Sequence, residues 1–199
     1  MEQISSTFDL IERIRKGEQH AFSILVSGYR RRLAVLIYYR LGRDLQSTVE
    51  VDDILQETWL RAFRQFHQFT YEGPGSFMRW LSLVAKHVIV DEARHNGRQK
   101  RHAAGFVGFR TDTSPDGVDP AHSETPSRVL AQEEGLQDLL RKLDALPEDY
   151  RDVIVLAKIE GATTQEVADH FGRTREATAL LLHRALKRFR QICEDGTPS

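Results

Sequence analysis

The chain has 199 residues and a net charge of −1, with 28 Lys and Arg set against 29 Asp and Glu, so as a whole it is not a polycation. Cys193 is the single cysteine, which excludes a disulfide framework and a cysteine-based metal site. Apolar runs such as Leu33–Tyr39 are too short to cross a bilayer and the N-terminus carries no signal-peptide core, so a cytoplasmic protein without membrane insertion is expected.

Phe8–Leu41 reads as two helices. Phe8, Ile11 and Ile14 share one face, and Lys16-Gly17 ends the first helix with a cation and a capping glycine. Phe22, Leu25, Val26, Tyr29, Leu33, Leu36 and Ile37 carry the helical period on to about Gly42, with Arg30, Arg31 and Arg32 as a solvated face. Nowhere does a strand-like alternation compete, so the expected class is all-α.

Charge is distributed unevenly. Asp44–Glu57 holds five acids and no base, whereas Arg173–Arg190 holds six cations against Glu176. Separate acidic and basic contact faces follow. Val51, Ile54, Leu55, Thr58, Ala62, Phe63 and Phe66 form the next helix stripe. Asp52 and Asp53 stand at that helix's N-terminal end, where the macrodipole favours acids. Gln56 and Glu57 extend the same polar face, which makes it a candidate for docking a basic partner.

The loop His67–Ser76 contains Gly73, Pro74 and Gly75, which break regular structure. It carries Phe69 and Tyr71, and is either an ordinary turn or an enclosure for a flipped-out base. Beyond it, Phe77, Trp80, Leu81, Val84 and Val88 fall at i, i+3, i+4, i+7 and i+11, one stripe of an amphipathic helix. Arg79 and Lys86 lie off that stripe, and Arg94, Arg98, Lys100 and Arg101 follow. Cations beside aromatic faces suit a single strand, because one neutralises phosphates and the other stacks bases. A core helix with a solvated basic end is the alternative.

Residues 103–128 bring glycines, prolines and acids without a sustained apolar period, and read as a flexible linker between domains 1–102 and 129–199. In the second domain Leu136, Leu139, Leu140 and Leu143 share a stripe, and Pro147 opens a helix continued by Tyr150, Val153, Ile154 and Ala157 up to Gly161. Thr163 and Glu166 have the spacing of a capping box. Gly172 turns the chain, and Thr174 caps a last helix running to about Ile192. Two short helices around a glycine turn, the second one basic, form a helix-turn-helix signature. Capped helical hairpins also serve as plain packing units.

The eight histidines show no HExxH-like spacing, and neither a Gly-rich phosphate loop nor a nucleophile elbow is present. No enzyme activity, metal or cofactor is expected.

VDDILQETWLRAFRQF, FMRWLSLVAKHVIVDEARHNGRQKR and LDALPEDYRDVIVLAKIEGATTQEVADHFGRTREATALLLHRALKRF together resemble the sigma-70 family of RNA polymerase sigma factors, in its small extracytoplasmic-function group. They correspond to regions 2.1–2.2, 2.3–2.4 and 4, in that order. The resemblance implies two small helical domains, a region 2 bundle and a region 4 helix-turn-helix. It implies that Asp52, Asp53, Gln56 and Glu57 grip the coiled coil of the polymerase's largest subunit. Phe69, Tyr71, Phe77, Arg79, Trp80, Lys86 and His87 would melt and read the −10 element, and Arg94, Arg98, Lys100 and Arg101 would hold phosphates. Arg173, Thr174, Arg175, Glu176, His183, Arg184 and Lys187 would read −35 duplex. Implied partners are core RNA polymerase (coiled coil and flap), promoter DNA and an anti-sigma factor. The recognition helix departs from the pattern at Ala179-Leu180-Leu181 and Leu186, and Leu180 is not expected to share the core stripe. A helix-turn-helix regulator that acts without polymerase is the rival reading.

Overall fold

The computed structural model describes residues 6–46, 48–99 and 134–195, with the backbone alone described for 43–46, 96–99 and 134. The expected linker, 103–128, lies outside the described residues. Among those described, all regular structure is helical. The first unit comprises α1 (Thr7–Arg15), α2 (Gln19–Gln46), α3 (Val51–Gln65), a 3₁₀ turn (Phe66–Gln68) and α4 (Ser76–Gln99). The second comprises α5 (Glu134–Asp144), α6 (Glu148–Ile154), a π-helical segment (Val155–Glu160), α7 (Thr164–Phe171) and α8 (Arg175–Asp195).

Local chemistry accounts for most boundaries. Ser6 caps α1 by accepting from the Asp9 amide, while the Asp9 carboxylate accepts from the Ser6 amide, both at 3.1 Å. Lys16 and Gly17 end that helix, and Gly17 stands at φ +88°. At Gly42, φ +63° breaks α2 where its apolar period runs out. The stripes pack as read except at Phe8 and Phe63. Ile11, Leu25, Leu33, Leu36, Ile37, Ile54, Phe77, Leu81 and Ile89 of the first unit and Leu136, Leu143, Val153 and Ala185 of the second are buried in one continuous core. Full burial of each such Leu, Ile, Val or Phe side chain contributes roughly 1.5–3 kcal/mol.

Five expectations need correction. Phe63 is 56% exposed while Trp59, left off the stripe, is 9% exposed. Helix α3 packs against both α2 and α4, so a second flank is buried, and Phe63 instead meets Phe22 edge-on. Phe8, also exposed, lies against Tyr71 with ring centroids 5.3 Å apart instead of joining Ile11 inside. Pro147 is the N-cap of α6, at φ −53° and ψ 145°, one position before the helix. The helix expected to run to Gly161 widens into π geometry from Val155 and stops at Gly161, which is left-handed at φ +81°.

The fifth concerns Arg32. Rather than belonging to a solvated face, it is half-buried and donates from Nε to the Ile159 carbonyl at 2.7 Å. It is one of several polar contacts joining the two units. Tyr39 Oη donates to Asp144 at 2.9 Å, Arg40 pairs with Glu160, and Ser82 Oγ donates to Glu160 at 3.2 Å. Burial, reinforced by Asp144, pushes the Tyr39 phenol well above its ordinary value.

Candidate polymerase and nucleic-acid interfaces

The acidic face sits on the first turns of α3, where Val51, Ile54, Leu55 and Thr58 turn inward and leave Asp52, Asp53, Gln56 and Glu57 outside. Asp53 and Gln56 are exposed, and Asp52 and Glu57 are half-buried. Glu57 accepts from Arg61 Nε at 2.7 Å, and the same guanidinium donates from Nη1 to Asp91 of α4 at 2.6 Å. The bond from Arg61 holds the Asp91 carboxyl below the usual carboxylate range. Two helices expected to do different jobs are thereby tied side by side. Arg61, Gln65, His87, Asp91 and Arg94 line a cleft of about 340 Å³ between them.

The loop before α4 is built, not slack. Gly73 and Gly75 take φ +112° and +85°, Ser76 Oγ donates to the Gly73 carbonyl at 2.7 Å, and the Glu72 amide donates back to Ser76 Oγ at 3.3 Å. Arg15, absent from the expected set, holds the loop's start by donating to the Phe69 carbonyl at 3.0 Å. No local pattern in the sequence signals a contact that spans 54 positions.

The rings expected to meet bases divide into two groups. Phe69 (3% exposed) and Phe77 (1%) lie inside a cluster with Phe66 and Trp80. Phe69 stands 5.5 Å from Phe77 and 5.1 Å from Trp80 between ring centroids. Tyr71 and Trp80 are half-buried and keep part of their surface outward. Arg79 is half-buried and its Nη1 lies 3.5 Å from the Gly161 carbonyl. Lys86, His87 and Arg94 are exposed along α4. Lys100 and Arg101, and the side chain of Arg98, lie outside the described residues.

In the second unit the capping box forms. Thr163 donates to the Glu166 carboxylate through its amide at 2.6 Å and its hydroxyl at 2.8 Å, and accepts from the Glu166 amide at 3.3 Å. Those bonds lower the Glu166 pKa. Gly172 turns the chain at φ +59°, and Thr174 Oγ1 accepts from the Ala177 amide at 3.2 Å at the start of α8. Arg173 donates to Asp149 at 2.9 Å and lies over Phe171, while Arg175 donates to Gln165. Arg173, Thr174, Arg175, Glu176, His183, Arg184 and Lys187 are all exposed. Leu181 and Ala185 are buried beneath them, whereas Leu180 is 49% exposed among them.

Comparison with known proteins matches this division. Residues 25–99 fit the model of sigma-70 region 2, and residues 136–189 fit the model of sigma-70 region 4. The chain belongs to the sigma-70 family. Among its relatives is the ECF RNA polymerase sigma-E factor of Salmonella typhimurium (strain LT2), 28% identical over 159 residues, or 80% of this chain and 79% of that one. The ECF RNA polymerase sigma factor SigX of Bacillus subtilis (strain 168) is 27% identical over 176 residues, 88% of this chain and 85% of that one. A solved chain, from the structure of CnrH in complex with the cytosolic domain of CnrY, is 21% identical. It covers 94% of this chain and 97% of its own, with a TM-score of 0.44. As a sigma factor of the extracytoplasmic-function group, the protein directs RNA polymerase to promoters. Region 2 takes up the helices that a polymerase-independent regulator would leave unexplained. No described helix is long and apolar enough to cross a membrane.

Proposed function

We propose that the first domain grips the basic coiled coil of the polymerase's largest subunit through Asp52, Asp53, Gln56 and Glu57, and that α4 with its preceding loop melts and reads the −10 element. The observation that carries this reading is the pairing of α3 and α4 through Arg61, which fixes an acidic docking face and an aromatic-basic face on one body. Melting asks for no covalent chemistry. An unstacked base gains about 1–3 kcal/mol from an aromatic platform. Tyr71 and Trp80 offer outward ring surface for it, while Phe69 and Phe77 hold the loop and the helix start from within. Lys86 and His87 take part in that reading, and Arg94, with Arg98, Lys100 and Arg101 after it in the sequence, holds the strand's phosphates.

The second domain reads −35 duplex with the N-terminal end of α8 in the major groove. Arg173, Thr174, Arg175 and Glu176 meet it first, and His183, Arg184 and Lys187 lie farther along the helix. The groove between the π-segment and α8, lined by Val153, Ala157, Leu182 and Leu186, suits the polymerase flap. The protein acts in the cytoplasm, without enzymatic chemistry of its own. The test is to mix the chain with core polymerase and a promoter library and map start sites, beside a variant with Asp52→Lys and Asp53→Lys. New start sites with the parent chain and none with the variant are expected, with the variant's helicity unchanged. Holoenzyme assembly by the variant would refute the docking role.

A further inference from the structure

Three guanidinium groups of the first domain converge on three consecutive residues of the second. Arg32 Nε donates to the Ile159 carbonyl at 2.7 Å, Arg40 pairs with the Glu160 carboxylate, and Arg79 Nη1 reaches the Gly161 carbonyl at 3.5 Å. The acceptors form the end of the π-segment, where carbonyls lack helical donors and the negative pole of the helix attracts cations. The second domain thus receives its cap from the first. For the first domain the arrangement is less complete. Arg32 is desolvated enough to lower its pKa, and its described hydrogen-bond partner is a neutral carbonyl. A partly buried cation facing only a dipole would bind a full anionic charge better.

The position of this cluster gives it a ligand. Gly161 passes over Gly75, the last residue before α4, so that a Cβ built on Gly161 would stand 3.7 Å from the Gly75 carbonyl oxygen. Whatever takes the place of the turn therefore runs beside the loop that meets the strand. We propose that Arg32, Arg40 and Arg79 form a phosphate-binding site for the single-stranded promoter DNA, which residues Ile159–Gly161 occupy in the free chain. The inference rests on the strand-reading role proposed above for Arg79 and the loop. Arg32 and Arg40 lie on α2, outside the residues expected to bind DNA. In the free chain the Glu160 carboxylate takes on Arg40 the place of a phosphate oxygen, and the two flanking carbonyls serve its neighbours. Drawing the second domain away to the −35 duplex exposes all three cations together.

The experiment uses the full chain with Arg32→Ala, Arg40→Ala, Arg40→Lys and Glu160→Gln. One measurement is the affinity of each holoenzyme for a fluorescent non-template −10 oligonucleotide across a salt series; the other is the rate at which the free chain joins core polymerase. Each Ala variant should weaken strand binding severalfold and flatten the slope of log affinity against log salt by about 0.7. Arg40→Lys should keep the slope, which separates a phosphate contact from a folding defect. Glu160→Gln should leave affinity and slope unchanged, because the turn has already left the site, and should assemble severalfold faster. If the Ala variants behave like Glu160→Gln, assembling faster with unchanged strand binding, the arginines only join the domains and the inference is overturned. An assembly rate unchanged in Glu160→Gln also overturns it, since the turn then masks nothing. Failure of the parent holoenzyme to bind the strand would instead bring down the strand-reading role, and this inference with it.

Discussion

Asp91 of α4 accepts a 2.6 Å hydrogen bond from Arg61 of α3, whose Nε is held by Glu57 one turn earlier in the same helix. The bridge is solvent-facing, with the Asp91 side chain 51% exposed, so its worth in stability is small. Arg61→Ala should lower unfolding stability in urea by less than about 1 kcal/mol. Promoter opening should fall further than that, because the helices proposed to dock and to melt lose a tie that sets their spacing. Opening rates unchanged in the variant would mean that packing alone aligns α3 and α4.

Phe77 and Trp80 stand one turn apart and should respond differently. Phe77 is 1% exposed and surrounded by rings, so Phe77→Ala should cost about 3–5 kcal/mol of fold stability. Trp80 keeps outward surface, and Trp80→Ala should impair promoter opening more than closed-complex binding. Equal losses in the two steps of a footprinting time course would remove its melting role.

Arg173 begins the proposed −35 face with one hand already taken by Asp149. Arg173→Ala should cost about 1–3 kcal/mol, confined to one −35 base pair, if the guanidinium leaves Asp149 to read an edge. A loss of equal size on every −35 sequence would make it a phosphate contact.

Asp152 is 6% exposed in α6, and burial pushes its carboxyl up to about 6 from 3.8, against the downward pull of Arg151. A raised acid costs stability once it ionises in the folded state. The cost is present above pH 6 and disappears as pH falls through that value toward 3.8. Asp152→Asn should therefore raise the melting temperature at pH 8, by the equivalent of about 1–2 kcal/mol, and change little near pH 4. Equal effects at both pH values would exclude the ionisation account.

The all-α class, the helix stripes and the caps at Lys16-Gly17, Thr163 and Thr174 were legible in the sequence because each depends on residues within one or two turns of one another. The same holds for Leu180, whose misfit with the stripe of Leu181 and Ala185 left it outside. What escaped depended on partners distant in sequence. Arg32 looks solvated until Ile159 is brought beside it, and Arg15 gives no local sign of holding the Phe69 carbonyl. Phe63 and Trp59 exchanged places because periodicity locates an apolar face without saying how many neighbours cover it. Among the proposed site residues, the apolar stripe already marked Phe77 for burial, whereas Phe69, in the loop, gave no local sign of its depth.

The wide coil at Val155–Glu160 amounts to an extra residue taken into a helix that would otherwise be regular. Winding the same residues as an ordinary α-helix would swing everything after them by about 100° around the axis. Glu160 would then point away from Arg40, while Thr163, Gly172 and Thr174 would keep their own local bonds. Regular winding would thus leave the helical hairpin that follows whole and merely re-aim it, making this bulge the hand that decides which way the tail of the protein faces.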